Sequence, residues 1–436
     1  MFTNLKTKES TAIINSLLAG VVPRTGIQHI AVGRTKEIEA ALKCLQDVQA
    51  GHSMVKFWIG DFGSGKSFML RLLDILALKQ KFVTAAADFT PEKRLYANDR
   101  KAVSLYSSLM DNLSIYTKPN GGALTTLLEK WIEQVIMETA RAGDIPFEAV
   151  RSEQNAPLIK ENIIKTINKI TDINAFDFGM VILKYYEGYM TQKEDLCKNA
   201  LKWLKGEYTT RTEARRDLDV RTIIDDQNYY EMLKNFATFF TYIGYSGFMI
   251  NLDEAINLYK VTHSSTRDKN YEKILSIYND CYQGKIANLF FNIAGTNEFL
   301  EDRRRGLNSF DALRTRLEGS KFETAEVRDL SQPVIKLLPL THDEIFVLLQ
   351  KLKAVFDFHY EKKSHIDDND IHSFMEIIFN KPGAEEFLTP RDVIKEFLSI
   401  LSILRQNPHL DKEKLFRTNS LEIMQELGLE LGVEEF

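Results

Sequence analysis

The strongest constraint in this chain is a glycine-rich loop between an apolar strand and an apolar helix. The sequence GDFGSGKS, residues 60–67, fits the pattern G-x-x-x-x-G-K-[ST] without a gap. Val55, Phe57, Trp58 and Ile59 precede it as a buried parallel strand, and SFMLRLLDILAL follows as a largely apolar helix. A glycine-rich turn can match such a pattern by accident, but here strand, loop and helix agree. The sequence therefore predicts an α/β fold built around a P-loop.

Each position of this loop has a physical task. Glycines let the backbone turn so that successive N–H groups face one anion, and the following helix adds the positive end of its dipole. Lys66 is expected to neutralise the β- and γ-phosphates of ATP, and the Ser67 hydroxyl is expected to bind Mg²⁺. The predicted nucleotide-binding residues of the loop are Gly60, Asp61, Phe62, Gly63, Ser64, Gly65, Lys66, Ser67 and Phe68.

Composition argues against several other classes of protein. With 56 Lys and Arg against 61 Asp and Glu, the chain carries a net charge of −5. No overall basic field therefore indicates nucleic acid, although a local basic surface stays open. The three cysteines are too scattered for a metal site or a disulfide framework, which suits a reducing cytosol. The N-terminus, MFTNLKTKES, has no apolar signal core, so we expect a soluble, cytoplasmic protein.

One uncharged stretch, residues 235–252, has about the length that a bilayer requires. Gly244, Ser246 and Gly247 interrupt it in the middle. A helix, a turn and a buried strand explain this pattern better than a membrane span. We therefore predict no membrane partner.

The strand predicted at the end of this stretch carries two acidic residues. FMINLDEA, residues 248–255, is hydrophobic until Asp253 and Glu254. In P-loop ATPases, the strand next to the loop delivers an Asp to the Mg²⁺ shell, and a following Glu can orient and deprotonate the attacking water. The alternative is a strand that meets a helix N-terminus, where acids are favoured anyway. We expect Asp253 to bind Mg²⁺ and Glu254 to act as the general base.

A further strand, in NLFFNIAGTNEFL, switches from apolar to polar at its carboxyl end. Polar residues at that edge of a parallel sheet lie over the ligand crevice. Thr296 or Asn297 is therefore expected to sense the γ-phosphate or to hold the attacking water. An ordinary strand-to-loop turn is the alternative.

Arginines follow this strand in EDRRRGLNSFDALRTRLEG. An Arg at this point can reach the γ-phosphate of a neighbouring subunit, and Arg316 is the first choice, with Arg314 second. Residues 303–305 form a short basic run. This run can be solvated surface, or it can contact a nucleic-acid backbone.

Two weaker patterns lie near the ends of the chain. In LTPRDVIKEFLSIL, Thr389 is a good N-cap and Asp392 lies three residues later, which places Arg391 on the first turn of a helix. In HIAVGRTKEIEAAL, a short apolar segment precedes Gly33 and Arg34, and a helix follows. This segment is a candidate to cover the adenine base.

In this order the motifs resemble those of AAA+ ATPases, in particular the origin-recognition-initiator and STAND branch. More closely, DFGSGKSFML, GFMINLDEA, NLFFNIAGTNEFL, FDALRTRL and FLTPRDVIKEFL resemble the BREX-system ATP-binding domain proteins, over roughly residues 27–406. Those proteins belong to bacterial and archaeal phage-defence gene clusters, often beside a large helicase. Together, motifs and resemblance give an expected catalytic set of Lys66, Glu254, Thr296, Asn297, Arg316 and Arg391.

The resemblance also implies a domain plan. It consists of an N-terminal extension at 1–26, an AAA+ nucleotide-binding core at 27–331, an all-helical lid at 332–407 and an acidic C-terminal segment at 408–436. Ser67 and Asp253 are much further apart in sequence than a strand–helix–strand unit needs. We therefore predict a second strand in FVTAAADF and then a mostly helical insertion at about 90–235, which can dock a partner or serve as packing scaffold.

Two functions remain open at this stage. The first is an ATPase of a DNA-directed defence complex, in which ATP orders a homo-oligomer and hydrolysis remodels double-stranded DNA or a helicase partner. The second is a nucleotide-gated adaptor with slow turnover, which binds other defence-system proteins. About thirty residues follow Asn407, too few for the winged-helix domain of initiator-type ATPases, so DNA binding through such a domain is not expected.

Overall fold

A parallel sheet forms the centre of the fold. The computed structural model describes residues 5–152, 154–170, 176–319, 328–381 and 389–417. The strands are β1 (Met54–Ile59), β2 (Val83–Asp88), β3 (Phe248–Asp253), β4 (Leu289–Gly295) and β5 (Val334–Lys336). They form one five-stranded sheet in the order β2-β3-β4-β1-β5, and all pairings are parallel. The predicted α/β fold is confirmed.

One strand separates the two strands that carry the predicted site residues. β4 lies between β1, which leads into the P-loop, and β3, which carries Asp253. The centre of a parallel sheet favours a strand that can be buried on both faces. β4 is buried at every one of its 7 positions, which suits it to the place between the other two.

Helices cover the sheet and fill the long connection between β2 and β3. The helices that precede and follow β1 in the sequence are α1 (Thr7–Leu18), α2 (Thr35–Gln49) and α3 (Lys66–Lys79). The connection holds α4 (Lys101–Asp111), α5 (Leu124–Ala142), α6 (Phe147–Val150), α7 (Ala156–Ile170), α8 (Phe176–Thr191), α9 (Glu194–Leu204), α10 (Arg211–Leu218) and α11 (Tyr229–Tyr242). The region predicted as an insertion is thus helical through most of its described residues, and we call α4–α11 the helical insertion.

Aromatic packing joins this insertion to the sheet. The rings of Trp131 and Phe239 meet edge-on at 5.5 Å, and Phe178 meets Phe236 at 5.4 Å. Phe240 of α11 packs edge-on against Phe248 of β3 at 5.1 Å. The insertion and the sheet therefore share one hydrophobic core.

The remaining helices follow β3 and β4. They are α12 (Ile256–Tyr259), α13 (Ser264–Tyr282), α14 (Asn297–Glu301), α15 (Asp311–Leu317), α16 (His342–His359), α17 (Asp368–Phe379), α18 (Pro390–Gln406) and α19 (Lys412–Arg417). Helix α18 begins as its sequence predicts, because Thr389 and Asp392 form a reciprocal capping box and Pro390 occupies the first turn.

The chain divides into two compact units. One comprises the described parts of Met1–Thr35, Asp61–Leu72 and Leu337–Phe436, and within it α1 packs against α16 and α18. The other comprises Lys36–Gly60 and Leu73–Lys336, with the sheet and the helical insertion.

The segment predicted as a helical lid, residues 332–407, begins with a short strand. Val334–Lys336 forms β5, which pairs with β1, and helical structure resumes at His342. β5 is three residues long, and only Ile335 is buried in it, so it has too little pattern to be recognised in the sequence. Of the acidic C-terminal segment predicted at 408–436, residues up to 417 are described and include α19, and the rest lies outside the described residues.

The uncharged stretch 235–252 forms the end of α11, a turn and most of β3, as predicted. Across the part of the chain that the structure describes, no helix combines the length and the apolar character needed to cross a membrane.

Candidate nucleotide-binding site

The loop between β1 and α3 adopts a tight turn that depends on its glycines. Gly63 and Gly65 have φ angles of +83° and +90°, a region in which other residues are strained. The N–H of Ser64 donates to the carbonyl of Asp61 at 3.2 Å, and the N–H of Met69 donates to that of Gly65 at 2.8 Å. The second bond begins the regular hydrogen bonding of α3, so the helix N-terminus lies directly after the turn.

The charged side chain of this loop folds back over it. The Lys66 ammonium donates to the carbonyl of Asp61 at 2.7 Å and lies 5.7 Å from the ring centroid of Phe62. Phe62 itself is 65% exposed. The ammonium is therefore held at the loop.

A buried hydroxyl in the same loop has no protein acceptor or donor. Ser64 is only 7% exposed, and its Oγ has no hydrogen-bond partner within the described residues. A buried hydroxyl without a partner is costly, so it calls for a ligand group. Phosphate oxygens accept hydrogen bonds. The loop amides, the Lys66 ammonium and the Ser64 hydroxyl together fit the phosphates of ATP.

The start of α18 lies against this loop. A Cβ added at Gly63 would come within 2.7 Å of the Thr389 Cβ, so only glycine permits this approach. Thr389 caps α18, and Arg391 lies two residues further on, exposed in the first turn. Arg391, although distant from the P-loop in sequence, thus follows by two residues a side chain that lies against Gly63.

Arg34 also acts on the loop backbone. It is buried, and its guanidinium donates to the carbonyl of Ser64 at 2.9 Å and to that of Leu338 at 2.7 Å. Gly33 has a φ of +68°, and a Cβ there would collide with the Glu344 carboxylate. Arg34 therefore supports the P-loop through a main-chain carbonyl of the loop. A contact of the segment around Gly33 and Arg34 with the adenine base stays a prediction.

In the unit that contains the sheet, main-chain hydrogen bonds link the carboxyl ends of three strands. The N–H of Gly60, after β1, donates to Gly295 in β4 at 3.2 Å. The N–H of Ala255, after β3, donates to Ala294 at 2.9 Å. Main-chain hydrogen bonds therefore fix the edge that carries Asp253.

One of the two acidic residues at this edge, Glu254, has an unusual backbone conformation. Asp253 accepts the N–H of Glu254 at 2.7 Å through Oδ1. Glu254 is exposed and has a φ of +57°, in the left-handed region that Glu rarely adopts. Such strain clusters at functional sites because the surrounding structure must hold it in place.

Thr296 and Asn297 lie at the end of β4, as predicted, but the Thr296 hydroxyl has a structural task. It caps the short helix α14 by accepting the N–H of Phe299 at 3.4 Å, and Asn297 is the first residue of that helix. The alternative of an ordinary strand-to-helix turn therefore explains Thr296 locally. A role for either residue at the γ-phosphate stays a prediction.

Arg316 lies toward the opposite edge of the sheet. Its Nε donates to Asn279 at 3.1 Å, and its Nη1 donates to the carbonyl of Ala312 at 2.7 Å. Asn279 belongs to the last turn of α13, whose final residue Tyr282 donates to the carbonyl of Val55 near the start of β1. Arg316 is thus near the amino ends of the strands and not near Asp253.

The other arginines of this region differ in their contacts. Arg314 pairs with Asp311 at 2.9 Å on the surface of α15. Arg305 lies over the Tyr259 ring at 5.2 Å and donates to its carbonyl, so it is engaged within the protein. The exposed members of the basic run are Arg303 and Arg304.

Sequence reasoning missed a set of buried polar side chains in the sheet. Lys56 of β1 is 2% exposed and donates to the carbonyls of Ser331 at 2.7 Å and Gln332 at 2.5 Å. Burial lowers the pKa of Lys56. Asn251 and Asn292 are also buried, in β3 and β4. Single polar residues within apolar strands were the signal that could have drawn attention to them.

No protein-only metal site is present among the described residues, since no three His, Cys, Asp or Glu side chains cluster as metal ligands.

Comparison with known proteins supports a specific family. A search of curated proteins gave no match. The family model described as BREX system ATP-binding protein BrxC/D matches residues 5–420, which is nearly the whole chain. The resemblance noted from the sequence motifs is thereby confirmed. The chain belongs to the family of BREX system ATP-binding proteins BrxC/D.

Proposed function

We propose that this protein is the ATP-hydrolysing component of a DNA-directed BREX phage-defence complex in the cytoplasm. ATP-dependent assembly of several copies would order the complex, and hydrolysis would remodel double-stranded DNA or a helicase partner. Family membership supports an ATP-binding component of BREX defence. The observation that carries the proposal is the P-loop, with its turned glycines, the Lys66 ammonium and the unpartnered Ser64 hydroxyl.

The residues would divide the chemistry as follows. Gly33, Arg34 and residues 60–68 would hold the nucleotide, with Lys66 facing the β- and γ-phosphates. Ser67 and Asp253 would hold Mg²⁺, which when bound supplies positive charge to the phosphates. Glu254 would take the proton of the attacking water. Further groups would position that water or neutralise phosphate charge, namely Thr296, Asn297 and Arg391.

The test of nucleotide binding is Lys66→Ala. We expect measurable ATP binding to disappear, roughly a hundredfold or more in affinity, because the variant removes a charged hydrogen-bond donor that faces the phosphates. Isothermal titration calorimetry measures this. Lys165→Ala is the matched control, since this lysine is 62% exposed in the helical insertion and paired with Glu161. Wild-type affinity in Lys66→Ala would contradict the P-loop assignment.

The position of Arg316 supports assembly. Because its contacts lie near the amino ends of the strands, it cannot serve the strand ends of its own sheet. We assign Arg316 the role of an arginine finger for a neighbouring copy. Such a residue stabilises charge that develops in the transition state, so its loss lowers the rate far more than the affinity.

Mixing two variants tests this assignment. Arg316→Ala should bind ATP normally and hydrolyse it roughly a thousandfold more slowly, the lower end of the usual range for such a residue. Mixed with Lys66→Ala, it should recover part of the activity, because one variant keeps its P-loop and the other keeps its Arg316. Arg314→Ala is the control and should need no rescue. A mixture as inactive as its parts, where wild type oligomerises, would exclude Arg316.

A second candidate is a nucleotide-gated adaptor with slow turnover. The cap of α14 favours it, because accepting the N–H of Phe299 accounts for Thr296 at this position without any contact to the γ-phosphate. ATPase rate and mass in solution, measured with and without ATP and duplex DNA, separate the two. Turnover stimulated by DNA supports the remodelling ATPase, and unchanged slow turnover supports the adaptor.

A further inference from the structure

A chain of hydrogen bonds crosses the interior of the sheet from the P-loop strand to the helix that follows the P-loop. Trp58 of β1 donates through Nε1 to Asn292 of β4 at 2.9 Å. Asn292 donates through Nδ2 to Asn251 of β3 at 3.0 Å, and Asn251 donates to Asp74 of α3 at 2.8 Å. All four side chains are buried. We call them the polar relay.

The two ends of the relay fix its direction. The indole N–H can only donate, and a carboxylate can only accept. Asn292 must therefore turn its oxygen toward Trp58, and Asn251 must turn its amide nitrogen toward Asp74. If either amide were rotated, two like groups would face each other in a region that excludes water, which is costly. The relay thus has one hydrogen-bonding arrangement.

Three members of the relay are separated in sequence by only two to seven residues from a residue of the proposed site. Asn251 precedes Asp253 by two residues and shares its face of β3, because strand side chains alternate. Asp74 follows Ser67 by seven residues, about two helical turns, and therefore lies on the same side of α3. Asn292 precedes Thr296 by four residues along β4 and the loop after it.

We infer that Asn251, Asn292 and Asp74 are positioning residues for Mg²⁺, an inference that rests on the proposed function. The Asp74–Asn251 bond fixes how α3 is rotated about its own axis and how far it is shifted along that axis, relative to β3. Strand β3 ends in Asp253, two residues after Asn251. The relay therefore sets the position of Asp253, one of the proposed Mg²⁺ ligands, without touching the ion.

A purely structural role would not require these side chains. Apolar residues of similar volume usually replace buried polar pairs at little cost in stability or with a gain. Hydrogen bonds add direction, which packing alone lacks. Mg²⁺ demands near-ideal octahedral geometry, so small errors in ligand position weaken its binding. Groups behind metal ligands typically change metal affinity about 10- to 100-fold when they are lost.

The test exchanges two members of the relay. Asn251→Asp places a second carboxylate against Asp74, so the bond breaks and the two charges repel. Asp74→Asn keeps an acceptor oxygen for Asn251. In the double variant, Asn292 and the new amide at position 74 both donate to the new carboxylate at position 251. The exchange therefore restores every hydrogen bond of the relay.

The readout is the Mg²⁺ concentration that supports half-maximal ATP binding, followed by calorimetry, together with the unfolding temperature. We expect Asn251→Asp to raise this concentration about tenfold or more. Asp74→Asn and the double variant should stay within about threefold of wild type. ATP affinity in the absence of Mg²⁺ should stay unchanged in all of them.

Asn270→Ala is the matched control. Asn270 is as buried as Asn251, and its side chain makes comparable hydrogen bonds, to the main chain of Tyr96 and Thr266. It should lower the unfolding temperature without changing the Mg²⁺ requirement. An equal shift in Asn270→Ala would show that any loss of core polarity has this effect, and would overturn the inference.

Other outcomes are equally decisive. A folded Asn251→Asp variant with the wild-type Mg²⁺ requirement overturns the positioning role but leaves the proposed Mg²⁺ site intact. Wild-type ATP binding that ignores Mg²⁺ removes the site itself, and the inference with it. If Asn251→Asp does not fold, the double variant decides. A folded double variant with wild-type Mg²⁺ dependence supports the relay, and one that also fails to fold contradicts it.

Discussion

Two fully buried tryptophans show how differently the sheet and the helical insertion are built. Trp58 in β1 donates its indole N–H to Asn292 at 2.9 Å. Trp131 in α5 is equally buried, but its N–H has no acceptor among the described residues. The first ring is placed by a directional bond and the second by packing alone. Directional hydrogen bonds of this kind also continue across the strands of the sheet.

The sheet carries polar groups that specify one arrangement. Lys56, Asn251 and Asn292 lie at matching register positions across β1, β4 and β3, so the polar residues form one row through the centre of the sheet. Every described hydrogen bond of this row has a defined donor and acceptor. A row of this kind tolerates few substitutions, because each one leaves a buried group without its partner.

The core of the helical insertion is mostly apolar and aromatic, although single side chains such as Trp203 also donate to a main-chain carbonyl. Phe178, Phe236 and Phe239 meet one another edge-on at centroid distances of 5.4–6.4 Å. Cores of this type accept changes that preserve volume and pattern. We propose that the sheet holds the geometry for the chemistry, whereas the insertion supplies stability and surface. Three predictions test this division.

The largest effect is expected at the carboxyl edge of the sheet. Glu254→Gln should lower the hydrolysis rate roughly 100- to 10,000-fold, the usual range for losing a positioned proton acceptor. ATP affinity and the unfolding temperature should stay at wild-type values, since the amide has the same shape. Single-turnover phosphate release and calorimetry measure the two quantities.

Glu194→Gln provides the control from the insertion. Its side chain is 82% exposed and pairs with Lys198, so neither rate nor stability should change. If Glu254→Gln hydrolyses ATP at the wild-type rate, Glu254 is only a residue at the start of a loop. The proposal that the sheet holds the groups for hydrolysis, and the insertion does not, would then lose its support.

A smaller effect should separate the two tryptophans. Trp58→Phe and Trp131→Phe remove similar volume from fully buried sites, but only Trp58→Phe leaves Asn292 Oδ1 without a donor. We expect Trp58→Phe to cost about 1–3 kcal/mol more, the usual cost of a buried group that loses its partner. Urea unfolding under identical conditions gives both values. Equal losses would show that the N–H of Trp58 contributes no more than its ring.

Local features of the chain were the ones that its sequence could predict. The P-loop was recognisable because its glycines, Lys66 and the flanking apolar runs are contiguous. The helical insertion followed from helical periodicity, and the start of α18 followed from Thr389 and Asp392. In each case a few neighbouring residues determine the structure, so a short window of sequence contains the information.

Long-range arrangements were not predictable from such windows. The position of β4 between β1 and β3 depends on how whole strands compete for burial, and β5 has only Ile335 buried. The contact of Arg34 with the Ser64 carbonyl joins distant segments, as does the bond between Asn251 and Asp74. Pattern and propensity carry no record of which distant residue satisfies a buried polar group.

The smallest predicted effect concerns the strained backbone at Glu254, where function and stability should oppose each other. With φ at +57°, a residue with a Cβ costs about 1–2 kcal/mol relative to glycine, part of which glycine loses again through the entropy of the unfolded chain. Glu254→Gly should therefore be more stable than Glu254→Ala by up to about 1 kcal/mol, and at least as stable as wild type. Both variants should hydrolyse ATP as slowly as Glu254→Gln, because all three lack the carboxylate. Urea unfolding of the three variants without ATP isolates the contribution of the strained backbone to the free energy of unfolding. If Glu254→Gly is clearly less stable than Glu254→Ala, then the left-handed conformation is not strained in the folded protein. The carboxylate would in that case be retained at this position without any cost to the sheet.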